Sequence, residues 1–378
     1  MKYLKVAVQG CGHGELDKIY QSIVPNVDLL IITGDFQAIR SAHDLNNISV
    51  PQKYRQLGDF HQYYSGKKKA PVLTIFIGGN HESSSYLQEL RFGGWVAPNI
   101  YYLGEFGVVW YKGLRIGGLS GIYNEISYKN DNEERLPYNP GELRSVYHVR
   151  ARSIAKMLAM SSEDKMDIFL THDWPQGIEH YGDLKLLLKL KPFFKTDIEK
   201  NQLGSPPAKE IVNSLKPRYC FASHLHVKFE AVIQETSSDE IDLDMDSEPT
   251  NESKESGDVQ FLALDKCGRN RKHLKILDIS TNTDHISFKK PGLYYDNRAI
   301  AANKVVETYR LEHKVLPQDI HKFKKQVDEE VLKLTQFHPV PNNFEFQLID
   351  SLNYFSNNQT LKYTEDFGIP YSAPEISR

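Results

Sequence analysis

The sequence predicts an α/β fold in which strand ends bring metal ligands to one rim, followed by a smaller, mainly helical C-terminal region. Three observations predict it. Five apolar, β-prone runs, Leu4–Val8, Leu29–Thr33, Val72–Ile77, Ile168–Leu170 and Tyr219–Ala222, each stop at residues able to bind a metal. Strand–turn–helix alternation fills roughly 1–120. Beyond residue 290 the apolar pattern is helical, over Ala299–Tyr309 and Gln318–Leu334, before a Pro/Asn-rich tail.

In chain order, helices are predicted over Leu16–Ile23 and Lys53–Tyr64. A polar stretch rich in Tyr and Asn, Tyr123–Pro140, precedes a predicted helix over Gly141–Met160. Loops of that length in compact domains are often functional. Val259–Leu264 and Leu274–Ile279 read as two further strands returning to the same sheet system. Segment 235–258 holds ten acids and one base, Lys254; it therefore carries −9 of a chain total of −3, leaving +6 elsewhere. It is Ser-rich and lacks aromatic residues, so a disordered surface insertion is expected. The mildly basic remainder permits an anionic substrate without demanding one. Two units are expected, 1–290 and 291–378.

With 40% apolar and 25% charged residues, the composition is that of an ordinary globular protein. No apolar run approaches the roughly 20 residues needed to cross a bilayer, and Met1-Lys2-Tyr3-Leu4 enters a strand without a signal-peptide run. Three cysteines, Cys11, Cys220 and Cys267, disfavour a disulfide framework. A soluble intracellular protein without membrane contact is expected.

The strand ends carry the chemistry. Gln9-Gly10-Cys11-Gly12-His13, Gly34-Asp35-Phe36-Gln37, Gly78-Gly79-Asn80-His81-Glu82, Thr171-His172-Asp173 and Ser223-His224-Leu225-His226 converge on a two-metal site. Such sites serve hydrolysis of phosphorus esters. Cys11 and His13, two residues apart, face one metal together, and His224 and His226 repeat that spacing. Asp35 is the carboxylate able to bridge both cations. Neutral imidazoles and the Asn80 amide complete the shells without excess negative charge. With Asn80 on metal, His81 points toward substrate, placed to protonate a leaving oxygen.

These segments resemble the motifs of the calcineurin-like metallophosphoesterases, in order, spacing and strand context, over about the first 230 residues. Cys11 stands where most of that superfamily has Asp. In this it is similar to the RNA lariat debranching enzymes, as are Gly34-Asp35-Phe36-Gln37-Ala38, Gly117-Gly118-Leu119-Ser120-Gly121-Ile122-Tyr123, Thr171-His172-Asp173-Trp174-Pro175 and Phe261-Leu262-Ala263-Leu264-Asp265-Lys266-Cys267. The resemblance fades after about residue 280. It implies two packed mixed β-sheets flanked by helices, and two divalent ions, Fe2+, Zn2+ or Mn2+, on Cys11, His13, Asp35, Asn80, His172, His224 and His226. It further implies hydrolysis of the 2′–5′ phosphodiester of excised intron lariats, with His81 as general acid. Residues 123–150 would form a lariat-recognition loop whose Tyr123, Asn124, Tyr128 and Tyr138 hold an unpaired branch nucleotide. A nuclear, and also cytoplasmic, monomer working on branched RNA near spliceosome-associated factors is expected.

Plainer readings stand beside these. Cys11 is otherwise a small buried residue, and His172 a satisfied histidine at a strand end. Trp174-Pro175 is packing beneath the site. The loop tyrosines form a local mini-core, and Lys67-Lys68-Lys69 and Arg269-Asn270-Arg271-Lys272 are solvated turns rather than localisation signals. His43, His61, His148, His180, His273 and His285 carry no functional reading. At the level of function, a DNA nuclease or protein phosphatase of the same superfamily, and a scaffold without metal, compete with the debranching hydrolase.

Overall fold

The computed structural model describes residues 2–131, 133–234, 257–351 and 356–373. In chain order its strands are β1 (Lys2–Gln9), β2 (Leu29–Ile32), β3 (Thr74–Phe76), β4 (Gly94–Ala97), β5 (Ile100–Tyr102), β6 (Phe106–Tyr111), β7 (Leu114–Leu119), β8 (Ile168–Thr171), β9 (Tyr219–Ala222), β10 (Phe229–Ile233), β11 (Val259–Ala263), β12 (Leu274–Thr281) and β13 (Leu293–Tyr295). One sheet has the order β12-β1-β2-β3-β5-β4, the other β10-β11-β9-β8-β7-β6-β13. Each has a parallel centre, β1-β2-β3-β5 and β11-β9-β8-β7. Antiparallel strands complete the edges.

Alternation along each strand sets the layers. Val6, Val8, Leu29, Ile31 and Ile75 pack against Ile116, Ile168, Leu170, Phe221 and Leu262, forming the core between the sheets. The residues in between face outward onto helices. Ala7, Leu30, Ile32 and Phe76 meet Leu16, Ile19, Phe60 and Leu87; Phe169, Cys220, Ala222 and Ala263 meet Ile154, Met157, Ile211 and Val306. Because both faces are covered, the parallel strands read as unbroken apolar runs. Each fully buried Ile or Leu contributes about 1.5–3 kcal/mol of transfer free energy. The result is a helix–sheet–sheet–helix sandwich.

The parallel strands align their C-terminal ends. Val8 pairs with Ile31, and Ile31 with Ile75. The loops after β1 and β2 then join through His13 N–H donating to the Asp35 carbonyl at 2.5 Å. The second sheet is tied to this rim where Ser223 Oγ donates to the Thr33 carbonyl at 2.7 Å.

Several expected elements take a different form. The helix expected over Lys53–Tyr64 is a 3-10 turn at Gln52–Tyr54 and a helix at Phe60–Tyr64. Gly58 separates them at φ +64°, where it packs on Gly14 so closely that a Cβ would lie 2.9 Å from the Gly14 carbonyl oxygen. The helix expected over Gly141–Met160 splits into Glu142–Ser145 and Ala151–Leu158. Between them the chain is drawn into extended pairing with Ile122, whose carbonyl accepts the Val149 N–H at 2.9 Å. Gln318–Leu334 shortens to Lys324–Val331 after a 3-10 turn. The strands after the acidic segment enter different sheets, β11 beside β9 and β12 beside β1. The acidic segment lies outside the described residues except for Gly257 and Asp258.

The Pro/Asn-rich tail contains a helix, Asn358–Phe367, held by tertiary contacts. The Gln359 side chain accepts the Trp95 N–H at 2.8 Å and donates to the Trp95 carbonyl at 2.9 Å. Strand β13 extends the second sheet beside β6. Asp296 caps the helix Asn297–Arg310 and accepts from buried Arg115 at 2.8 Å. Among the described residues no helix is long and apolar enough to cross a membrane.

Candidate active site

All eight predicted metal-site and catalytic positions lie in loops leaving parallel strands at one rim: β1 (Cys11, His13), β2 (Asp35), β3 (Asn80, His81), β8 (His172) and β9 (His224, His226). Four of them adopt left-handed backbone, His13, Asp35, His224 and His226, at φ of 47, 46, 56 and 51°. Non-glycine residues seldom hold such angles unless the surroundings impose them, and such strain concentrates at functional sites.

One ligand atom from each of Cys11, His13, Asp35 and His226 lies within 4.8 Å of all the others. The His13 and His226 Nε2 atoms stand only 3.2 Å apart. Burial, against the pull of Asp35, brings His13 down to about 4; burial and then His13 bring His226 to about 3. Near neutral pH both rings are uncharged and can offer lone pairs to a cation. Burial and then the Asp35 charge push the Cys11 thiol well above its ordinary value, so loss of its proton is coupled to entry of a cation.

A second group shares Asp35. Its Oδ2 lies 3.6 Å from His13 Nε2, while its Oδ1 lies 3.4 Å from His172 Nε2. The same His172 nitrogen is 3.2 Å from Asn80 Oδ1. The other His172 nitrogen, Nδ1, is 2.8 Å from the Thr33 carbonyl. His172 Nε2 therefore faces two oxygen acceptors, an arrangement that needs a proton or a metal between them. Burial opposes the Asp35 charge, yet His172, His13 and His81 hold that carboxyl well below its usual range. The His224 ring lies 5.1 Å from the His172 ring and completes this side. The donor set thus fits two cations sharing the Asp35 carboxylate.

His81 sits beside the cluster, half-buried, its ring centroid 5.8 Å from that of His13. Its Nδ1 is 3.0 Å from the Ser49 carbonyl and its Nε2 is 3.1 Å from the Asn80 amide nitrogen. With Nδ1–H donating to Ser49, Nε2 is the nitrogen turned toward the ligands.

Several further residues position this site: Glu82 and Gly79 carry no role in the sequence reading, while Trp174 packs beneath the site as that reading has it. Buried Glu82 accepts N–H groups from Phe36 at 2.7 Å, Gln37 at 2.8 Å and Gly79 at 3.0 Å. Burial and then Asp35 raise its pKa to about 7. At Gly79 a Cβ would lie 2.3 Å from Asp35 Oδ1 and 2.6 Å from His172 Nε2, so only glycine fits. Fully buried Trp174 donates to the Ser223 carbonyl at 2.9 Å and stacks on Phe229. Glu82 was visible in its motif; Ser49 and Thr33 act through backbone carbonyls and left no signal.

Beside the Gly78–Glu82 loop opens a cleft of ≈ 590 Å³, lined from the 123–150 loop by Glu134, Tyr147, His148 and Arg150 among others. Tyr123, Asn124, Tyr128 and Tyr138 are not among its lining residues. Tyr123 and Tyr128 form an edge-to-face pair at 5.6 Å, and Tyr128 packs on the large core. Asn124 Oδ1 caps the short helix Glu125–Tyr128. The loop is anchored by Asp131, which accepts from Arg152 at 2.5 Å and Arg310 at 2.9 Å.

Two mixed sheets with ligands at five strand ends define a class, and residues 4–228 match its family model, calcineurin-like phosphoesterase. That class uses divalent metals, in keeping with the cluster at Asp35. Residues 256–372 match the model for the lariat debranching enzyme, C-terminal domain. The chain is 40% identical to lariat debranching enzyme of Arabidopsis thaliana, over 97% of this chain and 87% of that one. It is 51% identical to the human enzyme of that name over 73% of this chain, and 48% identical to lariat debranching enzyme A of Xenopus laevis over 80%. This chain belongs to the lariat debranching enzyme family. It spans about half the length of those two vertebrate relatives, 49% and 55%.

Proposed function

We propose that this chain hydrolyses the 2′–5′ phosphodiester at the branch point of excised intron lariat RNA. The single observation that carries the chemistry is the division of Asp35, one carboxylate oxygen facing His13 and the other His172. Two divalent ions, Fe2+, Zn2+ or Mn2+, would be held by Cys11, His13, Asp35 and His226 on one side and by Asp35, Asn80, His172 and His224 on the other, supplying Lewis acidity and charge neutralisation at the phosphate. Cys11, a soft thiolate once deprotonated, favours Fe2+ or Zn2+ over Mg2+ in the first position.

The residues of the chain do the rest. The Thr33 carbonyl fixes the tautomer of His172, and Glu82 holds the Asp35 and Asn80 loops at their spacing. His81, oriented by Ser49, delivers to the departing 2′-oxygen a proton it has first taken up at Nε2, as water adds to phosphorus and gives up a proton to solvent and the P–O2′ bond breaks. Tyr123, Tyr128 and Tyr138 offer ring faces, and Asn124 its amide nitrogen, to the unpaired branch nucleotide.

End-group analysis tests this assignment. Digestion of a branched oligonucleotide should release a 5′-phosphate strand and leave a free 2′-OH at the branch. A product with a 2′-phosphate, or cleavage at 3′–5′ linkages instead, would place the enzyme elsewhere in its superfamily.

A further inference from the structure

We infer that Arg310, the last residue of the helix Asn297–Arg310, is a positioning residue for substrate: its guanidinium holds the 123–150 loop in the form that receives branched RNA. This role rests on the proposed function, which gives the loop its ligand.

The first half of the loop has little apolar substance to hold it. From Ile122 to Arg135, Asp131 is the one buried residue among those described. Its carboxylate ties the loop to two helices. Oδ1 accepts from Arg152 Nη1 at 2.5 Å, on the helix Ala151–Leu158. Oδ2 accepts from Arg310 Nε at 2.9 Å and from the Val315 N–H at 3.3 Å. Two residues on, Glu133 Oε1 accepts from Arg310 Nη2 at 2.7 Å and from Arg91 Nη1 at 3.0 Å. The third nitrogen of Arg310, Nη1, donates to Glu307 at 2.7 Å, one turn back on its own helix. All three guanidinium nitrogens thus hold carboxylates, two of them from the loop. The planar fork of arginine allows that span, and a single ammonium does not.

The helix that carries Arg310 is itself fixed. Asp296 caps its first turn, and Ala299, Ala302 and Val306 are buried in the large core. The loop therefore leans on a rigid support 179 residues along the chain from Asp131. Asp131 and Glu133 also line the ≈ 590 Å³ cleft beside the Gly78–Glu82 loop. Between Ile122 and Asp131 lie Tyr123, Asn124 and Tyr128, the residues that meet the branch nucleotide in the proposed function. Removing the guanidinium takes one cation from each of two nearby acids, so looser placements of this half of the loop gain population. Apparent affinity for substrate then falls in proportion to the fraction still in place. The second half has its own fastening, the pairing of Ile122 with His148. The metal ligands and His81 take their orientation from Thr33, Glu82 and Ser49, and keep it.

Amide exchange, together with steady-state cleavage of a branched oligoribonucleotide by the metal-loaded full chain, tests this role. Arg310→Ala should speed exchange across 123–136 and raise KM roughly tenfold, as for a loop in place about a tenth of the time. Its kcat and bound metal should match the wild type. Arg310→Lys, with one ammonium for three acids, should recover part of the lost affinity. Arg298→Ala is the matched control. Arg298 lies at the opposite end of the same helix, pairs with Asp328, and has a side chain 12% exposed against 13% for Arg310. Its loss should lower thermal stability and leave loop exchange and KM unchanged. Should Arg310→Ala fail to fold, Glu133→Gln takes its place, at a side chain 45% exposed that pairs with the same guanidinium. It should shift exchange and KM in the same direction by a smaller factor. Unchanged exchange, or a loop that loosens while KM stays put, overturns the positioning role. So does a loss of kcat or metal as large as the rise in KM, or an equal rise in Arg298→Ala, since either makes Arg310 a general structural residue. Cleavage by the wild-type enzyme is scored separately. If it cleaves branches while the variants behave as wild type, Arg310 alone loses its role; if it leaves branches intact, the proposed function falls and the positioning role with it.

Discussion

The carboxylate of Glu82 accepts the backbone N–H of Phe36 at 2.7 Å, fastening the loop after β3 to the loop that carries Asp35. It also takes the N–H groups of Gln37 and Gly79, so one buried side chain sets the spacing of Asp35 and Asn80. Glu82→Gln keeps the volume but turns an NH2 group toward one of these donors, leaving it unpaired. Metal affinity or turnover should fall by roughly 10–100-fold, the usual cost of losing a group that orients metal ligands. Metal titration with turnover checks this; wild-type values for both would show that Glu82 does not position the site.

Cys11 is the one sulfur donor among the four grouped ligand residues Cys11, His13, Asp35 and His226. Cys11→Ser should lose most of the cation shared with His13 and His226 and keep the one held by Asp35, Asn80, His172 and His224. In the native protein, mild oxidation should lower activity, and reductant with added metal should restore it. Two tightly bound metals and full cleavage in Cys11→Ser would show that Cys11 is only a buried spacer.

His81→Ala should lower turnover by roughly 10²–10⁴-fold with metal content nearly unchanged, as expected for loss of a general acid. Metal analysis alongside single-turnover cleavage separates the two effects. Loss of metal on substitution, or full activity, would contradict the role.

Acid stability should respond to His148, which burial and then Arg150 lower to about 4. Its Nδ1 lies 2.8 Å from Ser127 Oγ in the 123–150 loop. The unfolded chain takes up this proton near 6.5, before the folded one does. The native state therefore has the full contribution of neutral His148 above that value and loses it as pH falls toward 4. His148→Gln should make the melting temperature fall less steeply between pH 6.5 and 4. Parallel curves for the two proteins would contradict this.

The ligand rim was legible because strand and ligand are adjacent in sequence: Leu29–Ile32 is a buried run, and Asp35 follows it within one turn. The partners of those ligands were not, because they are distant or use backbone groups. Thr33 and Ser49 contribute carbonyls, which any residue carries. Helix assignments failed where tertiary contacts override local preference. Gly58 must approach Gly14, Tyr147–Val149 is drawn into pairing with Ile122, and Asn358–Phe367 is held through Gln359 on Trp95. The loop tyrosines were legible as a cluster, but not that Tyr123 and Tyr128 would face each other while Tyr147 and His148 line the cleft.

Hydrolysis of a 2′–5′ branch at this rim is open to a direct measurement. Its most direct test is single-turnover cleavage by the metal-loaded chain of a branched oligoribonucleotide, beside a linear 3′–5′ strand of the same sequence. The branch should be cleaved rapidly and the linear strand little, and the reaction should be lost when the metals are chelated. Comparable rates on the two substrates, or cleavage of the linear strand alone, would contradict it.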